Sequence, residues 1–258
     1  MPKTPNQGGK MRIVVLCPWT DPTGEFVKTF QGLLAREVDI TGVEVKALDE
    51  MPEPIVYKEG MSPAAGGLDN LPLSVPGVMK KAKALEKEGA DAIVNACILG
   101  PGCAQAKQIV DIPVLDPGEV GMHVAAMLGH RFALLVPGMS ALRGFQENVQ
   151  RYGMADKLAS ILSTDINPAS YLEKGRETMD VLLRLSIKAI TENDAAVIIL
   201  ACGMLTGKGP ELKRLLKEQG HDVTVIQPVP LAIELAKVLV KLNLKQVRLV
   251  PANYNYQF

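Results

Sequence analysis

The 258-residue chain lacks a surplus of either charge: 28 basic residues balance 28 acidic ones, and no basic block stands out. That balance removes the electrostatic footprint through which nucleic acid or an anionic membrane surface would be held as a partner. No apolar run reaches the roughly 18 residues of a spanning helix. The polar start MPKTPNQGGK is not followed by the apolar stretch of a secretory leader. The expectation is a cytoplasmic protein whose residues 1–10 form a flexible terminus. Cysteine is scarce, with only four, too few for a disulfide scaffold. None shows the tight paired spacing of a zinc site, and the absence of C-x-x-C argues against a thiol redox protein. There is no G-x-x-x-x-G-K-[ST] phosphate loop, no H-E-x-x-H, and no G-x-G-x-x-G after the first apolar run. Neither a cofactor nor a metal is expected.

What is present is an alternation of short β-like runs with helical stretches, in a chain that is 47% hydrophobic. The runs are RIVVLC (12–17), VEVKAL (43–48), DAIVNAC (91–97) and IPVL (112–115), followed by RFALLV (131–136), ASILSTDI (159–166), AAVIILAC (195–202) and DVTVIQ (222–227). Nearly continuous apolar strands separated by helices are the pattern of parallel sheets buried on both faces. Residues 50–76 are rich in proline and glycine and read as a long loop, which would serve as a lid, an arm to a partner subunit or a surface excursion. A strand-like KQVRLV precedes a tyrosine-bearing tail.

The two sets of runs correspond. Arg12 to Pro18 lies against Arg131 to Pro137 at an offset of 119, and Asp111 to Pro117 against Asp222 to Pro228 at an offset of 111. Val94-Asn-Ala-Cys97 falls against Ile199-Leu-Ala-Cys202, and each cysteine is followed five residues later by Gly102 or Gly207. The reading is an α/β fold of two pseudo-symmetric lobes, each a parallel sheet flanked by helices, with the active site in the cleft between them, where such sheets bind ligands at their carboxyl ends. Its division places 11–116 plus 228–258 in one lobe and 117–227 in the other.

A cysteine ending an apolar run is often no more than a small buried hydrophobe. Cys97 and Cys202, however, stand where a strand is expected to give way to a helix. Free backbone N–H groups and the positive end of the helix dipole there would favour thiolate and lower the thiol pKa. Racemisation needs a base on one face of a carbon and an acid on the other, which two equivalent thiols supply. The same N–H groups would stabilise the enolate-like charge of the intermediate.

At these residues the chain resembles the aspartate/glutamate/hydantoin racemase superfamily, most of all its hydantoin and allantoin racemases, over roughly residues 11–242. The resemblance is carried by DAIVNACILGPGCAQAKQIVDIPVLDPGEVGMHVAAMLGHRFALLV and by AAVIILACGMLTG. It implies that Cys97 and Cys202 are the catalytic pair. The family's Asn-Pro-Asn-Thr-Ser loop is held here by Cys17-Pro18-Trp19-Thr20-Asp21, which makes Trp19 and Thr20 candidate substrate contacts. Ile98 follows the first cysteine where the family has Phe, and Gly203 follows the second where it has Ala. VPGMSALRG matches another substrate loop, so Met139 and Ser140 are further candidates, although Ser140 would equally serve as an N-cap. Glu119 aligns with a family glutamate but is also suited to a helix start, and His123 reads as packing rather than as a base.

The function expected is a cofactor-independent racemase or epimerase acting on a small-molecule carbon acid beside a carbonyl, such as a hydantoin, an amino acid or a related carboxylate. A homo-oligomer is compatible with this reading. The alternatives are a same-fold isomerase or decarboxylase using one cysteine, and a non-catalytic two-lobed small-molecule binding protein.

Overall fold

The computed structural model describes residues 11–50 and 71–248. Two four-stranded parallel sheets organise it. The first contains β1 (Ile13–Thr20), β2 (Val43–Leu48), β3 (Ala92–Asn95) and β4 (Val114–Leu115) in the order β2-β1-β3-β4. The second contains β5 (Phe132–Val136), β6 (Leu158–Ser163), β7 (Val197–Leu200) and β8 (Thr224–Ile226) in the order β6-β5-β7-β8. Both sheets therefore have the same topology, and the central pairings are equivalent: Leu16 sits beside Asn95, and Leu135 beside Leu200.

Crossovers between parallel strands require helices. These are α1 (Glu25–Leu34), α2 (Leu71–Lys87), the single-turn α3 (Cys103–Ala106), α4 (Pro117–Leu128), α5 (Met139–Arg151), α6 (Gly175–Asn193), α7 (Gly209–Glu218) and α8 (Pro228–Lys241). The helices α4 and α8 open on Pro117 and Pro228, where a missing N–H costs nothing because the first turn has no intrahelical acceptor for it. They pack on one another; α4 also packs on β5 and β7, and α8 on β1 and β3. One hydrophobic cluster runs through both sheets, from Val15 and Val94 to Leu135 and Ile199. A second, with Val14, Leu16, Val78 and Leu85, lies under α2 and α3. No helix among the described residues is long and apolar enough to cross a membrane.

Two local expectations are revised. Residues 71–76 are helical rather than loop, since α2 begins at Leu71 and carries Pro76 within it. Pro72 falls in the first turn, and the hydrogen bond lost at Pro76 is outweighed by burial of Val78, Ala82 and Leu85, each large apolar side chain contributing about 1.5–3 kcal/mol. Residues 51–70 of that segment, the terminus 1–10 and the tail from 249 lie outside the described residues. The stretch Lys245–Arg248 is not a strand. Instead Gln246 accepts from the Val114 N–H and donates to the carbonyls of Val110 and Ile112, so a side chain satisfies the edge beside β4.

Candidate active site

Each central strand of a pair ends the same way. The N–H of Ala96 donates to the Leu16 carbonyl at 2.9 Å, and that of Ala201 to the Leu135 carbonyl at 2.9 Å. The next residue in each case is a cysteine, Cys97 or Cys202. The chain then turns away from the sheet, and both thiols line one cavity of about 300 Å3. Its wall includes Trp19, Phe26 and Phe30 from the first half, and Ser140, Phe145, Ile166 and Met204 from the second. Trp19 meets Phe26 edge-on with ring centroids 5.1 Å apart, and Phe26 stacks on Phe30 at 5.7 Å. Among the described residues, the polar side chains of the lining, apart from the thiols and the Trp19 indole, are Ser140, Asp165 and Asn167, and none is lysine, arginine or histidine.

Among the other residues singled out from sequence, Ile98 and Gly203 also line the cavity, whereas Thr20 and Met139 do not. Met139 is exposed to solvent. Ser140 is not an N-cap: Gly138 occupies that position and Ser140 belongs to the first turn of α5. Glu119 lies in the first turn of α4 and pairs with Lys107. His123 is exposed, its Nδ1 2.9 Å from the Glu119 carbonyl oxygen. The aromatic pair Phe26 and Phe30 was not singled out, although its spacing of four residues on α1 after Trp19 is the signal that places both rings on one helical face.

The expected helix dipoles are absent. Cys97 is followed by turns and then the four-residue α3, and Cys202 by a single 3-10 turn, Gly203–Leu205. Too few peptide dipoles are aligned there to act as a helix end. Burial instead pushes both thiols up to about 12, against a smaller opposing pull from backbone N–H groups: Leu99 and Gly100 at Cys97, Met204 and Leu205 at Cys202. The two thiols also act on one another electrostatically, which raises Cys97 further. Cys17 and Cys103 are buried and likewise raised, chiefly by desolvation, and neither lines the cavity.

The class is therefore a duplicated α/β protein that brings one thiol from each half into a single apolar cavity. The model of the Asp/Glu/Hydantoin racemase family matches residues 45–236, and the chain belongs to that family. It is an isomerase of the racemase class. It is 30% identical over 182 residues to the hydantoin racemase of Pseudomonas sp. (strain NS671), covering 70% of this chain and 71% of that one. It is 26% identical to the hydantoin racemase of Paenarthrobacter aurescens, covering 81% and 84% of the two chains. Among solved structures, allantoin racemase from Pseudomonas fluorescens shares the fold with a TM-score of 0.78 at 22% identity, covering 96% of this chain and all of that one.

Proposed function

We propose that the protein racemises a 5-substituted hydantoin or a closely similar neutral cyclic ureide, using Cys97 and Cys202 as acid and base on opposite faces of one carbon. The observation that carries this reading is the presence of both thiols, from equivalent turns of the two sheets, in the lining of the same cavity. The choice of a neutral ring over an amino acid rests on the lining. A free carboxylate would enter an apolar cavity to which the described residues contribute no cationic side chain, and an unpaired buried charge is costly. An apolar ring substituent would instead be covered by Trp19, Phe26 and Phe30. The names of the curated relatives point the same way.

In the reaction, the thiolate of one cysteine takes the hydrogen from the substrate carbon. The C–H electron pair moves into the adjacent carbonyl, giving an enolate as the new S–H bond forms. The thiol of the other cysteine then gives its proton to the opposite face and becomes thiolate, so no external acid or base is consumed. A buried thiolate is scarce but strongly basic, which suits a weakly acidic C–H. No cofactor enters the scheme.

The test is incubation with single enantiomers of 5-benzylhydantoin and of phenylalanine in deuterated water, following optical rotation and exchange at the carbon. Racemisation of the hydantoin with deuterium uptake is expected, and its loss in both Cys97→Ser and Cys202→Ser. Activity retained by either serine variant would refute the two-thiol scheme, and preference for phenylalanine would refute the neutral substrate.

A further inference from the structure

The two cysteine turns are each braced by a residue of the opposite half, through chemically different pairs. On the Cys97 side, Asp116 is the N-cap of α4, its Oδ1 accepting from the N–H groups of Gly118 at 2.8 Å and Glu119 at 3.3 Å. Its other oxygen fills the space beside Gly100, where φ is +60° and a β-carbon would lie 1.7 Å from Oδ2. That oxygen accepts from the Tyr152 hydroxyl at 2.5 Å. Tyr152 ends α5, and one turn earlier the Asn148 amide donates to the Leu99 carbonyl at 3.2 Å. The C-terminal end of α5 thus grips the turn that aims N–H groups at Cys97.

The Cys202 side repeats the plan with other groups. Gln227, the N-cap of α8 and the counterpart of Asp116 at the offset of 111, accepts from the Gly207 N–H at 2.6 Å. Its amide fills the space beside Gly209, where a β-carbon would lie 2.7 Å from Nε2. That nitrogen donates to Glu37, which lies just beyond α1 of the first half.

We infer that Asp116 with Tyr152, and Gln227 with Glu37, are positioning residues, each pair holding one cysteine turn, so that damage to a brace slows proton transfer at its own cysteine alone. This rests on the two-thiol reading. Neither brace lines the cavity, so neither touches substrate. The pairs are independent in sequence and in chemistry, a buried carboxylate with a phenol on one side and an amide with a carboxylate on the other.

Ordinary kinetics would hide such selectivity. The equilibrium constant of a racemisation is unity, so kcat/KM must fall equally in both directions whichever cysteine is impaired. Exchange without inversion does not obey that constraint. Cys97→Ser and Cys202→Ser, with each enantiomer of 5-benzylhydantoin in deuterated water, first identify which enantiomer each remaining thiol still exchanges. In Tyr152→Phe, the ratio of exchange to inversion should then rise about tenfold, the scale of a modest misplacement of a reacting group, for the enantiomer that Cys97→Ser still exchanges. For the other enantiomer the ratio should fall, because return through Cys97 is slowed as well, while its primary deuterium isotope effect grows. Glu37→Ala should give the mirror image, and Glu37→Gln, which keeps an oxygen acceptor, should restore the ratio.

A purely structural role would slow both enantiomers and leave both ratios as they were, which overturns the assignment, as does a rise for the same enantiomer in both variants. If the serine variants themselves fail to separate the enantiomers, the two-thiol reading falls and takes the braces with it.

Discussion

The carbonyl oxygen of Ala96 faces Gly203 so closely that a β-carbon on Gly203 would lie 2.6 Å from it. The residue before one cysteine therefore abuts the residue after the other, backbone against backbone. Glycine is needed at Gly203 for this approach, and no side-chain rotation could relieve a methyl group there. The two turns would have to separate.

Gly203→Ala is accordingly expected to lower kcat by about 100-fold, because a displacement near 1 Å of reacting groups costs roughly that much. Overpacking of this kind costs about 1–3 kcal/mol of stability, so the variant should still fold. Steady-state rates on hydantoin enantiomers, with a thermal melt as control, check both expectations. Unchanged kcat would mean that the contact between the turns does not set the geometry of the reaction.

Activity should increase with pH across the neutral and mildly alkaline range. Both thiols are raised by burial to about 12, so the thiolate fraction grows tenfold for each unit of pH well below that value. The logarithm of kcat/KM, corrected for spontaneous racemisation of the hydantoin, should rise with a slope near one between about pH 7 and 9, beginning below the ordinary thiol value of about 8.5 and continuing past it. A plateau below about pH 8 would show that the working thiol is not raised in the free protein.

Stability should move the opposite way. All four thiols are raised by burial, so the folded state holds protons that the unfolded chain releases above about pH 8.5. Their contribution is complete below that pH and is lost as pH climbs toward the folded values, by at most about 1.4 kcal/mol per unit for each thiol. Urea unfolding at a series of pH values should show the midpoint falling above about pH 9, less steeply in Cys17→Ala than in the parent. Equal slopes in the two proteins would remove Cys17 from this account.

The eight strands and their duplication were legible because each buried parallel strand is a short apolar run bounded by turn residues, and because Pro18 matches Pro137 and Pro117 matches Pro228 where strand leads into turn or helix. The equivalence of Cys97 and Cys202 followed from the matching strands they end and from the glycine five residues beyond each, Gly102 and Gly207. What was not legible depends on contacts far apart in sequence. Asp116 and Tyr152 are separated by 36 positions, and Gln227 and Glu37 by 190, and nothing local marks them as partners. The sign of the thiol shifts was misread for a related reason. Glycines after a strand are compatible with a helix start, and only the fold reveals turns in its place, with desolvation dominant. Thr20 was expected beside the substrate because it falls in the stretch that resembles the family's substrate loop, but successive residues of a strand point to opposite faces, and only Trp19 of the two lines the cavity.

Trp19 provides a test of what the cavity selects. It is the only tryptophan in the chain, and its edge-on contact with Phe26 and the stacking of Phe26 on Phe30 make a continuous aromatic wall on the first-half side. A benzyl substituent laid against that wall would gain a further aromatic contact worth about 0.5–1.5 kcal/mol, a factor of roughly 2 to 12 in binding. A methyl substituent would gain little. Trp19→Ala should therefore lower kcat/KM for 5-benzylhydantoin by about that factor relative to 5-methylhydantoin. The thiols are untouched, so kcat on the methyl compound should stay close to that of the parent. Equal losses on the two substrates would assign Trp19 to general packing, and a larger loss on the methyl compound would place the ring substituent on another wall, the one formed by Phe145, Ile166 and Met204.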